Sequence, residues 1–264
     1  MAGKDRKKQL ARQRYERQQQ RRRAQEARAR RVKIIGSVLA VAVVAGGVTG
    51  VVALVGGDDD SKADAAASPQ ASPSAQASSA KPGECAYNDT GDAAKDVGKP
   101  PAKPAYDKAV KATLKTNQGE VELELDGKKA PCTVNSFAYL AKKDYFDKTE
   151  CHRLTSGGLS VLQCGDPKGD GTGGPGYQFA DENTQGAEYD KGTLAMANSG
   201  PDTNGSQFFM VYADSQLPPN YSVFGKITSG MDVLEKIAKG GSEPEGDGKP
   251  KTKVTIQDVS IAKK

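Results

Sequence analysis

Apolar and polar residues alternate with period two in ATLKT (112–116) and EVELEL (120–125), on either side of Asn117, Gln118 and Gly119. Successive side chains of a strand face opposite ways, so this predicts a hairpin with Val121, Leu123 and Leu125 turned inward and the charges outward. The period then lengthens. Pro131 and Thr133 open a helix in which Val134, Phe137, Ala138 and Ala141 share a face, and Lys142 and Lys143 close it at the end that favours cations. Residues 151–164 read as two short strands around Ser156, Gly157 and Gly158, followed by a glycine-rich loop over residues 165–176. In LAMANSGPDTNGSQFFMV (194–211) two apolar arms enclose turn formers. The second arm reads as a strand. Gln207 and Phe209 then share one face and Phe208 and Met210 the other. One face can enter a core while the other offers a ring and an amide to a ligand. A second helix holds Val233, Leu234 and Ile237, with Thr228 or Ser229 as its cap and Gly240 and Gly241 at its end. Residues 240–249 read as a polar loop and residues 254–261 as a closing strand. Many short strands and two helices predict a mostly β domain, a closed antiparallel sheet with a helix at each opening.

The first 105 residues follow different rules. Residues 1–33 are basic and carry no apolar period. Residues 34–55, IIGSVLAVAVVAGGVTGVVALV, contain no charge. As a helix they would extend about 33 Å, the thickness of a bilayer's hydrocarbon core. The basic flank before them and Asp58, Asp59 and Asp60 after them place the N-terminus on the cytoplasmic side. The run is longer than the apolar part of a cleavable signal peptide. Residues 56–105 are rich in Ala, Ser and Pro and poor in bulky apolar side chains, the composition of a flexible linker. Cys85 is the exception in that stretch. The expected organisation is therefore a cytoplasmic tail (1–33), a transmembrane helix (34–55), a linker (56–105) and a folded domain (106–264).

Charge is divided in the same way. The whole chain is +5, but residues 1–33 alone carry +11, so the rest is acidic. The basic tail reads as a membrane flank rather than a nucleic-acid arm. With one His and no C-x-x-C, a zinc site is not expected, and His152 lacks the G-x-S-x-G context of a hydrolase triad. The glycine loop lacks the G-K-[ST] ending of a phosphate loop.

MANSGPDTNGSQFF (196–209) closely resembles the signature of the cyclophilin-type peptidyl-prolyl isomerases. Three further blocks resemble that family in the same order: CHRL (151–154) with VLQCGDP (161–167), GTGG (171–174), and VFGK (223–226). The resemblance covers about residues 111–261. It implies a closed eight-stranded antiparallel barrel capped by two helices, acting on X–Pro bonds without a cofactor or metal. By motif position Arg153 matches the catalytic arginine and Gln163 the residue that orients it. Val161, Phe209 and Leu217 match walls of the proline pocket. Ala197, Asn198 and Gln207 match positions that bind the substrate backbone, and Gly171 matches the rim of the adjacent subsite. The chain also departs from the pattern. Two extra residues lie between Arg153 and Gln163, with Leu159 and Ser160 where a pocket Phe is usual. Gln216 stands for a Trp and Tyr221 for a pocket His.

The residues suit this chemistry. The barrier to rotation about a peptide bond is about 18–20 kcal/mol because resonance is lost. When the amide twists, its nitrogen regains a lone pair and can accept a hydrogen bond. A fixed planar cation such as arginine stabilises that state over the ground state. The expected function is a membrane-anchored isomerase assisting the folding of extracytoplasmic proteins. The alternative is a non-catalytic proline-peptide-binding module on the same fold. An extracytoplasmic location further predicts that Cys85, Cys132, Cys151 and Cys164 form disulfides, with one bond tying Cys85 to the domain. Three pairings are open.

Overall fold

The hairpin alternation is realised as β2 (Ala109–Thr116) and β3 (Gly119–Asp126) in a computed structural model that describes residues 81–263. Val121, Leu123 and Leu125 are buried, and Glu120, Glu122 and Glu124 lie on the opposite face. The expectations for residues 1–33 and 34–55 lie outside the described residues. Among those described, no helix is long and apolar enough to cross a membrane.

Among the described residues, twelve strands and two helices follow one another as β1 (Asn88–Ala93), β2, β3, α1 (Pro131–Lys142), β4 (Arg153–Thr155), β5 (Val161–Cys164), β6 (Pro175–Gln178), β7 (Thr193–Met196), β8 (Phe208–Val211), β9 (Val223–Ser229), α2 (Met231–Gly240), β10 (Ser242–Glu243), β11 (Asp247–Pro250) and β12 (Ile256–Ile261). Ten strands form one sheet in the order β10-β11-β4-β5-β8-β7-β9-β3-β2-β12, and β1 pairs with β6 in a second. Every pairing is antiparallel.

The sheet is not the closed eight-stranded barrel expected. Its seam lies between the start of β12 and the turn before β4. It is crossed by a single bridge, Glu150 to Thr255, and by three backbone bonds, Lys148 N–H to Ile256 O, Ile256 N–H to Thr149 O and Cys151 N–H to Val254 O. A ladder does not form because β4 begins only at Arg153. Glu150 reinforces the seam by pairing with Lys249 and Lys253 at 2.8 and 2.6 Å.

Phe137 of α1 packs on Phe146, Phe208 and Phe224 with ring centroids 5.1–5.4 Å apart, which seats the helix on the main core. Its N-terminus has no cap from Ala130. Instead the Glu182 carboxylate accepts from the Cys132 and Thr133 amides at 3.0 and 2.8 Å, a favourable place for negative charge. Neither Thr228 nor Ser229 caps α2, whose cap position is Gly230 in a left-handed conformation (φ 84°). A side chain there would meet Glu120 O at 2.3 Å. Residues 240–249, read as a loop, contain β10 and the start of β11.

The largest difference concerns the span read as linker. From Cys85 onward it is part of the domain. Cys85 is bonded to Cys132, and Cys151 to Cys164. Tyr87 stacks edge-on against Tyr177 and Phe179 and donates to Cys132 O. Asn135 of α1 donates to Pro101 O and accepts from the Ala105 amide. The Cys85–Cys132 bond closes 47 residues. Cross-linking a loop of that length restricts the unfolded chain by about 4 kcal/mol in the chain-entropy model. Replacing both cysteines by serine is expected to lower stability by up to that amount and to expose the β1 amides to hydrogen exchange. Alkylation of unfolded, unreduced protein should find no thiol, and four labelled thiols would contradict both bonds.

Candidate active site

Antiparallel register places directly opposed residues on one face. Arg153 of β4 opposes Gln163 of β5, Gln163 opposes Phe209 of β8, and Phe209 opposes Ala195 of β7. The four strands thus carry a row Arg153–Gln163–Phe209–Ala195 on the face away from the main core. The alternate row, with Phe208, Cys164 and Met196, enters that core.

A chain of polar contacts crosses this face. Gln163 Oε1 accepts from Arg153 Nη1 at 3.2 Å, and Gln163 Nε2 donates to Gln207 Oε1 at 2.9 Å. Gln207 Nε2 in turn donates to Gly171 O and Gly173 O at 3.0 and 2.9 Å, fixing the glycine loop. At the other end Asp247 accepts from Arg153 Nε at 2.7 Å and from Nη2 at 2.9 Å. The carboxylate fork holds the guanidinium plane and pushes the Arg153 pKa upward against the opposing effect of burial. Three of the five guanidinium N–H groups are engaged in these bonds, which leaves two to donate elsewhere.

Beside this network lies a second apolar cluster. Val161, Tyr189, Ala195, Phe209 and Val211 are buried, and Leu159, Ala197, Leu217 and Tyr221 pack against them. Phe209 is only 5% exposed, with the Tyr189 and Tyr221 rings at 6.2 and 5.6 Å. Gln163, Gly171, Ala197, Asn198 and Gln207 line an adjoining cavity of about 370 Å³. Asn198 donates to Asn220 O at 2.8 Å, and the Ala197 amide donates to Gln207 O at 2.9 Å. The ten residues singled out in the sequence fall into three neighbouring groups. Arg153 and Gln163 form the polar network, Val161, Phe209, Leu217 and Tyr221 the apolar cluster, and Gly171, Ala197, Asn198 and Gln207 the cavity wall.

His152 takes no part in the hydrogen-bonded network. Its ring nitrogens are buried without a hydrogen bond among the described residues, and the nearby Gln207 amide is already engaged. Burial lowers its pKa, opposed by the Asp166 carboxylate. It lies beneath Gly171, where an added Cβ would come within 3.5 Å of the ring.

Asp247 was not legible in advance. It sits in a glycine- and proline-rich stretch, 94 residues from its partner, and only the β11–β4 pairing brings the two together. Among the described residues, no group of His, Cys, Asp and Glu has the arrangement of a metal site.

The family model "Cyclophilin type peptidyl-prolyl cis-trans isomerase/CLD" matches residues 111–261, more than half of the chain, and the chain belongs to that family. Among its relatives is the "Probable peptidyl-prolyl cis-trans isomerase B" of Mycobacterium leprae (strain TN). The two are 52% identical over 198 residues, covering 67% of this chain and 66% of that protein. The protein of the same name from Mycobacterium tuberculosis (strain ATCC 25618 / H37Rv) is 53% identical over 180 residues, covering 62% of this chain and 58% of the relative. The chain thus spans somewhat under two thirds of the length of these relatives. A crystal structure of a cyclophilin type peptidyl-prolyl cis-trans isomerase from Cryptosporidium parvum, in the presence of the dipeptide Ala-Pro, is also similar. Its TM-score is 0.51 at 32% identity, over 58% of this chain and 99% of that one.

Proposed function

We propose that this chain is a peptidyl-prolyl cis-trans isomerase acting on X–Pro bonds of extracytoplasmic proteins, and that residues 34–55 anchor it in the membrane with the N-terminus in the cytoplasm. The observation that carries the catalytic reading is the guanidinium of Arg153, held in plane by Asp247 and Gln163 with two N–H groups to spare. Those donors are directed at the nitrogen of a prolyl amide seated against Phe209, Val161, Leu217 and Tyr221. The bond favours the twisted amide because only then does the nitrogen accept a hydrogen bond. Ala197, Asn198, Gln207 and Gly171 hold the neighbouring backbone. No proton is transferred and no covalent intermediate forms, so the reaction needs no cofactor.

Two features support the location. The uncharged 22-residue run follows a tail of +11. All four cysteines are paired, as is usual where thiols meet oxidising surroundings. The Ala-Pro dipeptide of the Cryptosporidium parvum structure supports recognition of proline-containing segments.

A protease-coupled assay on a proline tetrapeptide tests the activity. Acceleration of the slow cis phase supports the proposal. Peptide binding without acceleration would establish the non-catalytic module instead, a reading favoured by the nearly complete burial of Phe209.

A further inference from the structure

We infer that β1, which lies outside the family-matched span, makes Asp92 a specificity determinant that biases the adjacent subsite rimmed by Gly171, the cavity beside Gln207, toward a lysine or arginine side chain flanking the bound proline. This rests on the peptide-binding half of the reading above.

The strand is built into the domain. Its pairing with β6 runs through Asn88–Gln178 and Asp89–Tyr177 and resumes at Ala93–Pro175. Between them the register shifts, and Thr90, Gly91 and Asp92 stand opposite the single residue Gly176. Gly91 adopts φ 86° at this bulge, a conformation that favours glycine. Beyond it the Ala94 amide donates to Gly174 O at 2.8 Å. Gly176 accepts the strand closely, since a Cβ there would meet Ala93 at 2.9 Å. With the Cys85–Cys132 bond at its other end, the bulge is fixed at both sides.

The bulge takes Thr90 and Asp92 out of the ladder, and both line the cavity together with Gln163, Asn198 and Gln207. A peptide held by Asn198 and Gln207 therefore lies at the cavity that Asp92 also lines. Of all the lining residues, Asp92 alone has a carboxylate, and none has a basic side chain. Its strand neighbour Asp89 is paired with Lys99 at 2.5 Å, whereas Asp92 has no ion pair among the described residues. The carboxylate is exposed, so its attraction for a cation is modest and weakened by salt. The neutral amides and hydroxyls of the remaining wall suit the rest of a long polar side chain but do not select its charge.

The test compares dissociation constants of the full chain for proline peptides bearing Lys, Ala or Glu at each position flanking the proline. At one position Lys is expected to bind about threefold tighter than Ala, and Glu more weakly than Ala, at low salt. The Lys/Ala ratio should shrink in molar salt and fall to about one in Asp92→Asn. A ratio near one in the parent, or a ratio unchanged in Asp92→Asn, would overturn the inference. Because the readout is affinity, failure of the isomerase reading appears separately, as peptides that bind but are not interconverted.

Discussion

Replacing Arg153 by alanine is expected to lower kcat/KM for an X–Pro peptide by about tenfold or more while the domain stays folded. The side chain is over a third exposed, and its ion pair with Asp247 lies near the surface, so little stability depends on it. In the proposed mechanism the transition state depends on it heavily, because within the polar network only the guanidinium offers spare cationic donors to the site. Arg153→Lys should recover little. An ammonium is a point charge and cannot hold the fork to Asp247 and the bond to Gln163 while aiming further donors from the same plane. Asp247→Ala should lower kcat by a smaller factor, since the charge remains but its plane is no longer clamped, and Asp247→Asn should recover part of the loss through its remaining carbonyl. Near-normal turnover by a folded Arg153→Ala protein would remove Arg153 from the mechanism.

Adjacent phenylalanines should fail in different ways. Phe208→Ala is expected to cost about 3–5 kcal/mol of stability. Phe208 is fully buried and packs edge-on against Phe137 at 5.4 Å and Phe146 at 5.7 Å, so its loss leaves a hole where helix and sheet meet. Phe209→Ala should cost less stability and weaken proline-peptide binding more. Its ring belongs to the smaller cluster beneath the site, where Tyr189, Tyr221 and Leu217 lie beside it. Melting curves and peptide titrations of the two variants separate these outcomes. A larger drop in melting temperature for Phe209→Ala would mean that the faces of β8 are assigned the wrong way round.

What the sequence revealed and what it concealed divide along physical lines. Strict alternation in β3 made its buried face legible, because a half-buried strand must repeat every two residues. The same rule separated Phe208 from Phe209. β1 was concealed because five of its six residues are exposed and it is held by backbone bonds, a disulfide and the single aromatic anchor Tyr87. Such a strand leaves no hydrophobic period. Its sequence, NDTGDA, is made of small, polar and turn-forming residues, so it read as part of the linker that precedes it. β10 and β11 were concealed for a similar reason. Their glycines and prolines read as loop, yet Gly248 is needed where β11 folds tightly back on β10, since a Cβ there would meet Glu243 at 2.3 Å. The open seam could not be anticipated, because whether a sheet closes depends on the register of segments more than 100 residues apart, such as Glu150 and Thr255. Motif positions located Arg153, Gln163 and Gln207, but the fork from Asp247 depends on that hairpin and became visible only in three dimensions.

Exchange NMR of a proline peptide at equilibrium, with a small fraction of the full chain added, tests the central claim most directly. It detects interconversion of the two isomers without a protease and reports binding in the same spectra. The account predicts exchange peaks between the cis and trans resonances on a timescale far shorter than the tens to hundreds of seconds of the uncatalysed bond, and their loss in Arg153→Ala. Peptide resonances that shift on binding while the two isomers stay in slow, uncatalysed exchange would contradict it.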